Sequence, residues 1–294
     1  MLKIFITGGT GFVGKEIVKR LTKENVEIFM LVRNKSKSVP KKNIESIQGD
    51  ILKPSTYEKS LKKCDVLINI VGIIREIPKR NITFENLHVK AVRNLIETAK
   101  NSGVQKIIHM SANGARKDAV SNYHKTKFLG ETLVENSGIT YTIFKPSVIY
   151  GQGDEFINMV AAFMKKTPVF SYFGNGKQPM QPVSVEEVSE IFVKSIYNKE
   201  TDNKKFNVCG NKILTYKELL ELIIITKKFN KLLIPVPVSI IKLLTILFDK
   251  FENFPLTKEQ LIMLLEGNTC EEREIFNILQ IEEQNIEEKL SEYL

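Results

Sequence analysis

Cysteine is scarce in this chain. Its 294 residues hold three, Cys64, Cys209 and Cys270, far apart and without paired spacing, so no disulfide framework and no cysteine metal site is expected. Histidine is equally scarce, and His88, His109 and His124 form no ligand set with the cysteines. No apolar run reaches the roughly 18 residues of a membrane-crossing helix, and the first strand starts at Leu2 with no room for a signal peptide, so a cytoplasmic protein is expected. No internal repeat or low-complexity tract is present. Basic residues outnumber acidic ones by 43 to 34, a net charge of +9. The lysines are scattered and form no long block, so they read as a solvated surface. Without a basic-aromatic motif, nucleic-acid binding ranks below every other reading.

What is present begins almost at the first residue. Residues 2–6 are a short apolar run, Gly8, Gly11 and Gly14 keep the spacing G-x-x-G-x-x-G, and Phe12, Val13, Ile17, Val18 and Leu21 recur at helical intervals. Strand, tight turn and helix in that order suit a dinucleotide. Gly8 takes backbone angles that a Cβ forbids, Gly11 lets a pyrophosphate approach, and Gly14 lets the helix lie close on the strand. The N–H groups and dipole at the helix start then hold the phosphates.

The unit repeats along the chain. Residues 26–32 read as a second strand whose carboxyl end carries Arg33-Asn34, then Lys35 and Lys37. An acidic residue here binds the ribose hydroxyls of NAD, whereas arginine accommodates the 2′-phosphate of NADP. Arg33 therefore favours NADP(H) and leaves NAD(H) open; a plain loop cap is its other role. Residues 44–48 are a third strand ending in Gly49-Asp50-Ile51, with Asp50 for the adenine edge and Ile51 for its face. A short helix at 54–63 and a buried strand at 65–71 follow. A helix over 84–101 turns Leu87, Ala91, Leu95, Ile96 and Ala99 inward and stops at Gly103. A strand at 104–110 ends at Ser111, a helix spans 123–136, and a strand at 140–144 runs into Lys145-Pro146. Six strands with crossovers imply an α/β fold, a doubly wound parallel sheet with helices on both faces and its ligand at the carboxyl ends of the strands.

That domain covers residues 1–150. A smaller substrate or cap domain takes 151–294, with a chain crossing between the two left open. It includes helices at 156–165, 186–197 and 215–229 and a short strand near Phe206. The segment 239–248, from Ser239 to Phe248, covers one broad face with Ile240, Ile241, Leu243, Leu244, Leu247 and Phe248. It is either core of the smaller domain or a helix resting on a membrane or protein partner.

Tyr123 and Lys127 are four apart on one helix face, and Ser111 ends the preceding strand. A phenol titrates near 10, so acid/base work at neutral pH calls for a nearby cation, which Lys127 supplies, while Ser111 orients a carbonyl or hydroxyl. The spacing alone is cheap, since Tyr141 and Lys145 repeat it within a strand. His109 reads as a packed core residue and His124 as exposed. Arg75, Lys79, Arg80, Arg116, Lys117 and Lys177 fall in loops that suit a small anionic substrate or an anionic headgroup.

The set Thr7-Gly8-Gly9-Thr10-Gly11-Phe12-Val13-Gly14, Gly49-Asp50, Ser111, Tyr123-x-x-x-Lys127 and Lys145-Pro146-Ser147-Val148-Ile149-Tyr150-Gly151 resembles the extended and atypical short-chain dehydrogenase/reductase superfamily, including the NAD-dependent epimerase/dehydratase enzymes. The resemblance runs to about Val193. More narrowly, Val71-Gly72-Ile73-Ile74, His88 to Asn94, His109 to Ala115 and Pro255-Leu256-Thr257 resemble the branch of the nucleotide-binding accessory subunit of respiratory complex I and its bacterial relatives. The resemblance implies a Rossmann-type sheet, with Tyr123 as acid/base, Lys127 on the nicotinamide ribose lowering the tyrosine pKa, and Ser111 orienting substrate. It implies cofactor contacts at Gly8, Thr10, Gly11, Phe12, Val13, Gly14, Arg33, Asp50, Ile51, Val71, Gly72, Tyr123, Lys127, Pro146 and Val148. His88 stands where many sugar-nucleotide epimerases have asparagine, and Lys145 where they have arginine, which speaks against a sugar-nucleotide substrate.

Two functions follow. One is an NAD(P)-dependent oxidoreductase, epimerase or dehydratase that moves a hydride with Tyr123 moving the proton. The other is an NADP(H)-binding structural subunit or assembly factor of a complex I-like assembly, without turnover. The intact Ser111, Tyr123 and Lys127 favour the enzyme. Oligomerisation stays open.

Overall fold

Leu2, Ile4 and Ile6 line one face of Leu2–Thr7 (β1) and Phe5 the centre of the other, and the strand lies inside a sheet, with Ile4, Phe5 and Ile6 fully buried. The computed structural model describes residues 1–34, 43–248 and 256–294; Lys35, Lys37 and Pro255 lie outside the described residues. The strands Val26–Val32 (β2), Ile44–Gln48 (β3), Val66–Asn69 (β4), Lys106–Met110 (β5) and Thr140–Pro146 (β6) join β1 with every neighbouring pair parallel. A seventh strand, Lys204–Val208, pairs with β6 and gives the order Lys204–Val208, β6, β5, β4, β1, β2, β3. The short strand near Phe206, which the sequence reading assigned to the smaller domain, is thus the edge of the main sheet.

Helices cover both faces of that sheet. The helices Phe12–Leu21 (α1), Glu58–Leu61 (α2), Ala91–Lys100 (α3) and Asn122–Glu135 (α4) follow β1, β3, β4 and β5. Ala91, Val92, Leu95 and Ile96 of α3 and Val134 of α4 share a core with Phe5, Phe29, Leu31 and Ile143. Side chains alternate along a strand, so Met30 and Phe144 point to the opposite face. There Phe144 packs against Phe192 of the helix Val185–Ser195, the rings tilted and their centroids 5.0 Å apart. Arg20 of α1 donates to Ser189 Oγ at 2.7 Å and pairs with Glu190 at 3.3 Å. The helix expected over 84–101 opens with a π-helical stretch, Glu85–Lys90, before α3. That irregular turn buries Asn86 and His88.

The chain divides into two compact units. The first comprises Met1–Pro146, Glu186–Val208 and Glu272–Ile281, and the second Ser147–Val185, Cys209–Glu271 and Glu282–Leu294. The second unit packs Tyr150, Ile157, Met164, Phe173, Leu219, Leu220 and Leu290 into its own core. Its parallel strands Val169–Phe173 and Leu232–Val236 pair with each other. Two of its helices start at capping boxes: Thr215 with Glu218 before Tyr216–Thr226, and Thr257 with Gln260 before Lys258–Glu266.

The absence of a disulfide expected from cysteine spacing is corrected by the structure. Cys209 and Cys270, 61 residues apart, are bonded to each other, and Cys64 is a buried free thiol. The pairing was illegible because the second unit brings together two distant loops. Closing a loop of that length restricts the unfolded chain by up to about 4 kcal/mol. Thiol titration of the urea-unfolded chain should therefore find one reactive group before reduction and three after. Cys209→Ser should lower the urea midpoint, and three thiols before reduction would refute the bond.

Candidate functional site

The glycine turn after β1 is built by contact distances. Gly8 sits at φ +80°, and its carbonyl accepts the Gly11 N–H at 3.0 Å. A Cβ on Gly14 would lie 2.1 Å from the Gly8 oxygen, so only glycine lets α1 start this close to the strand. Gly11 is the N-cap of α1 and supplies no side-chain cap, and the first turn holds no acidic residue. The leading N–H groups of α1 are therefore left for an anion. Thr10 and Phe12 are half-buried beside this turn and Val13 is buried.

A buried polar chain links the carboxyl ends of β1, β4 and β5. Asn69 Oδ1 accepts from the Thr7 hydroxyl at 2.7 Å and the Val71 N–H at 3.4 Å, so its amide nitrogen is the donor to His109 Nδ1 at 3.1 Å. This assigns the His109 proton to Nε2. His88 is fixed the opposite way. Its Nε2 accepts the Ile73 N–H at 3.2 Å, leaving the proton on Nδ1 for Thr126 Oγ1 at 3.0 Å. Burial, with the Lys127 charge adding to it, pushes His88 down to about 2 and His109 to about 3. Both are neutral in the folded chain.

Tyr123 and Lys127 share a face of α4, and Ser121 caps that helix by accepting the His124 N–H. The Tyr123 ring meets Phe84 and His88 edge-on at 5.7 and 5.4 Å. Lys127 Nζ donates to the Met110 carbonyl at 3.0 Å and lies against Gly72, where an added Cβ would sit 3.0 Å from it. Burial lowers Lys127 to about 8, opposed by Glu131. Burial also raises the Tyr123 phenol above its ordinary value, opposite to the direction expected from Lys127. His124, expected to be exposed, is buried: its ring lies over Gly114, where an added Cβ would be 2.9 Å away.

Glu131, two turns beyond Tyr123 on α4, is the residue that sequence reasoning missed. It is fully buried, and the Ser111 hydroxyl donates to its Oε1. Lys145 Nζ is 3.7 Å from that oxygen and donates to the Ala115 carbonyl at 2.9 Å. The other oxygen accepts no hydrogen bond and is 4.0 Å from Lys205 Nζ. Burial raises the carboxyl pKa, with Lys145, Ser111 and Lys205 opposing the shift. The signal was available: positions 123, 127 and 131 repeat at helical spacing on one face.

The structure thus gathers the glycine turn, Val71, Gly72, Ser111, Tyr123 and Lys127 at the carboxyl end of one sheet. The remaining positions differ. Arg33 is exposed just past β2. Asp50 Oδ1 accepts the Leu52 N–H at 2.9 Å, a local turn. Ile51 is buried with Phe29, Leu31 and Tyr57. Pro146 ends β6 and its carbonyl accepts the Asn113 N–H at 2.8 Å. Val148 belongs to the second unit, where its N–H donates to Asn268 Oδ1 at 3.0 Å. Among the described residues no cluster of histidine, cysteine and acidic side chains could hold a metal ion, and no helix is long and apolar enough to cross a membrane.

An alternating βα chain with a glycine turn at the first strand end and a Tyr-x-x-x-Lys helix after the fifth defines the class. The chain belongs to the NAD dependent epimerase/dehydratase family, whose model matches residues 4–209. Over 259 residues it is 25% identical to a mitochondrial "NADH dehydrogenase [ubiquinone] 1 alpha subcomplex subunit 9" of Dictyostelium discoideum, covering 85% of this chain and 71% of that protein. It is 29% identical over 153 residues to a "Ceramide reductase" of Caulobacter vibrioides, covering 51% of this chain and 47% of that one. A nucleoside-diphosphate-sugar epimerase of Staphylococcus aureus has the same fold, with a TM-score of 0.80 at 19% identity over 99% of this chain and 100% of its own.

Two outcomes are expected. Unfolded histidines take a proton near 6.5, so the unfolded state binds more protons from about pH 6.5 down to 3. Stability present above pH 6.5 should fall by roughly 2 kcal/mol per histidine by pH 5. Urea unfolding at pH 7.5 and 5 checks this: His88→Gln should remove about half of the loss, and a flat wild-type profile would refute it. Separately, Glu131→Ala leaves Lys145 and Ser111 without their buried carboxylate and should cost about 3 kcal/mol, against no change if the cluster is incidental.

Proposed function

We propose that the chain binds a nicotinamide dinucleotide with its pyrophosphate at the start of α1 and reduces a carbonyl compound. The observation that supports this best is the gathering of Tyr123, Lys127 and Gly72 at the sheet end where the glycine turn presents its N–H groups. The residues fit the group, because the absence of a Cβ at Gly14 lets the uncapped start of α1 stand against the Gly8 turn. When bound, the nicotinamide supplies or takes the hydride. Tyr123 supplies the proton: a phenol raised by burial is protonated at neutral pH and serves as the acid of a carbonyl reduction. Lys127 holds a charge below about pH 8 beside Gly72 and orients the ribose. Arg33, exposed past β2, favours NADP(H). Arg75, Arg80 and Arg116, on the loops after β4 and β5, favour a small anionic substrate.

A second reading is a cofactor-bound subunit of a respiratory assembly without turnover. It is supported by the likeness to the Dictyostelium protein and by the Ser111 hydroxyl, which is committed to Glu131.

Fluorescence titration with NADPH and NADH, followed by a turnover screen with carbonyl and quinone substrates, separates the two. Under the enzyme reading Tyr123→Phe binds NADPH as tightly as wild type and loses at least about 100-fold in kcat. Wild-type kcat/KM falls as pH rises through about 8, where Lys127 loses its proton. Tight binding with no turnover across the screen would select the subunit, and preference for NADH would overturn the role of Arg33.

A further inference from the structure

Ser111 has one hydrogen to give, and Glu131 takes it. The serine is 2% exposed and the glutamate fully buried, and among the described residues the hydroxyl is bonded to Glu131 Oε1 alone. A hydroxyl whose hydrogen is held by a carboxylate keeps only acceptor lone pairs for any other group. Yet Ser111 stands beside the residues gathered at the sheet end, since the carbonyl of Met110, its neighbour in the chain, accepts from Lys127 Nζ at 3.0 Å. Held in this way, it has nothing to donate to a substrate carbonyl.

Little fixes the charge of that carboxylate. Oε2 is buried and accepts no hydrogen bond. Lys145 Nζ is 3.7 Å from Oε1 and donates instead to the Ala115 carbonyl at 2.9 Å. Lys205 Nζ is 4.0 Å from Oε2 and makes its closer pair with Glu135 at 2.9 Å. On α4 itself Lys127 lies one turn before Glu131 and Glu135 one turn after it. Burial raises the Glu131 pKa; Lys145, Ser111 and Lys205 oppose the rise and Glu135 adds to it. A buried carboxylate with one oxygen unmet takes up a proton above the ordinary carboxylate range. The two oxygens then differ as seats for it. At Oε2 the neighbour is the Lys205 ammonium, which cannot accept a hydrogen bond, whereas at Oε1 it is the Ser111 oxygen, which can.

We propose that Glu131 sets the direction of the Ser111 hydrogen bond: ionised, it holds the hydroxyl hydrogen; neutral, it donates to Oγ and frees that hydrogen for the substrate carbonyl. Glu131 is thus a positioning residue that acts through Ser111, and the proton it takes comes from solvent. The proposal rests on the hydride-transfer reading, with Ser111 orienting the carbonyl. It makes the commitment of Ser111 to Glu131 a state of one carboxyl, reversed as pH falls. Carbonyl reduction is then supported below the Glu131 midpoint and weakened as pH rises through it.

Two readouts on the full chain test this. In the first, isotope-labelled glutamate carboxyls are titrated by NMR without cofactor or substrate, the Glu131 signal being the one lost in Glu131→Gln. Its midpoint should lie above the ordinary 4.5, and Ser111→Ala, which removes a donor to the ionised form, should shift it further up. The second is NADPH oxidation with menadione as the carbonyl probe. Wild-type kcat/KM should fall about tenfold or more as pH rises through the midpoint read by NMR, and Glu131→Gln, which cannot titrate, should lack that fall. Ser111→Ala should cost about 100-fold below the midpoint and progressively less above it, whereas a merely structural defect costs the same factor at every pH. A Glu131 midpoint that Ser111→Ala leaves in place, or a fall that persists in Glu131→Gln, would overturn the proposal. No menadione reduction by the wild type would count against the hydride-transfer reading alone, and the Ser111 dependence of the Glu131 midpoint would still decide the proposal.

Discussion

The close approach of α1 to the turn after β1 governs what the first unit can do. With 2.1 Å between a Gly14 Cβ and the Gly8 carbonyl oxygen, no side chain fits between helix and strand. The helix therefore begins at the carboxyl end of a central strand, uncapped and with its dipole directed at the same end of the sheet where β4 and β5 finish. One steric constraint thus sets where the leading N–H groups of α1 stand.

The chemistry around that site depends on buried polar groups that are satisfied in one arrangement only. Asn69 has its orientation assigned by two donors, which assigns the proton of His109; the Ile73 N–H does the same for His88. Neutral imidazoles beside Lys127 are consistent with a cation already depressed by burial, since a second positive charge there would be costly. Glu131 compensates one turn further along the same face of α4, holding Ser111 and facing Lys145 and Lys205. The face that carries Tyr123 and Lys127 is therefore a line of four-residue steps ending in a carboxylate, and disturbing any of them alters the electrostatics of the rest.

The second unit has a different balance. It has its own core, its loops are joined by the Cys209–Cys270 bond, and Ile240, Leu243, Ile246 and Leu247 of Val238–Phe248 face outward. The parallel pairing of Leu232–Val236 with Val169–Phe173 joins segments of this unit that are remote in sequence.

The sequence by itself determined what depends on neighbours within a few residues. Apolar period located β1 to β6 and the helices between them, glycine spacing located the turn, and a four-residue step put Tyr123 and Lys127 on one face. These are local signals, set by backbone geometry and helical repeat. Tertiary structure decided the rest. Lys204–Val208 joins β6 across some sixty residues, Ile51 goes to the core, and His124 is buried over Gly114. Ser111 takes Glu131 as its partner, Cys209 finds Cys270, and the helix Val238–Phe248 presents its apolar side to solvent. Each depends on which surfaces meet at long range, and neither spacing nor composition encodes that, because the same apolar stripe or lone cysteine suits a buried and an exposed setting equally until the packing partner is known.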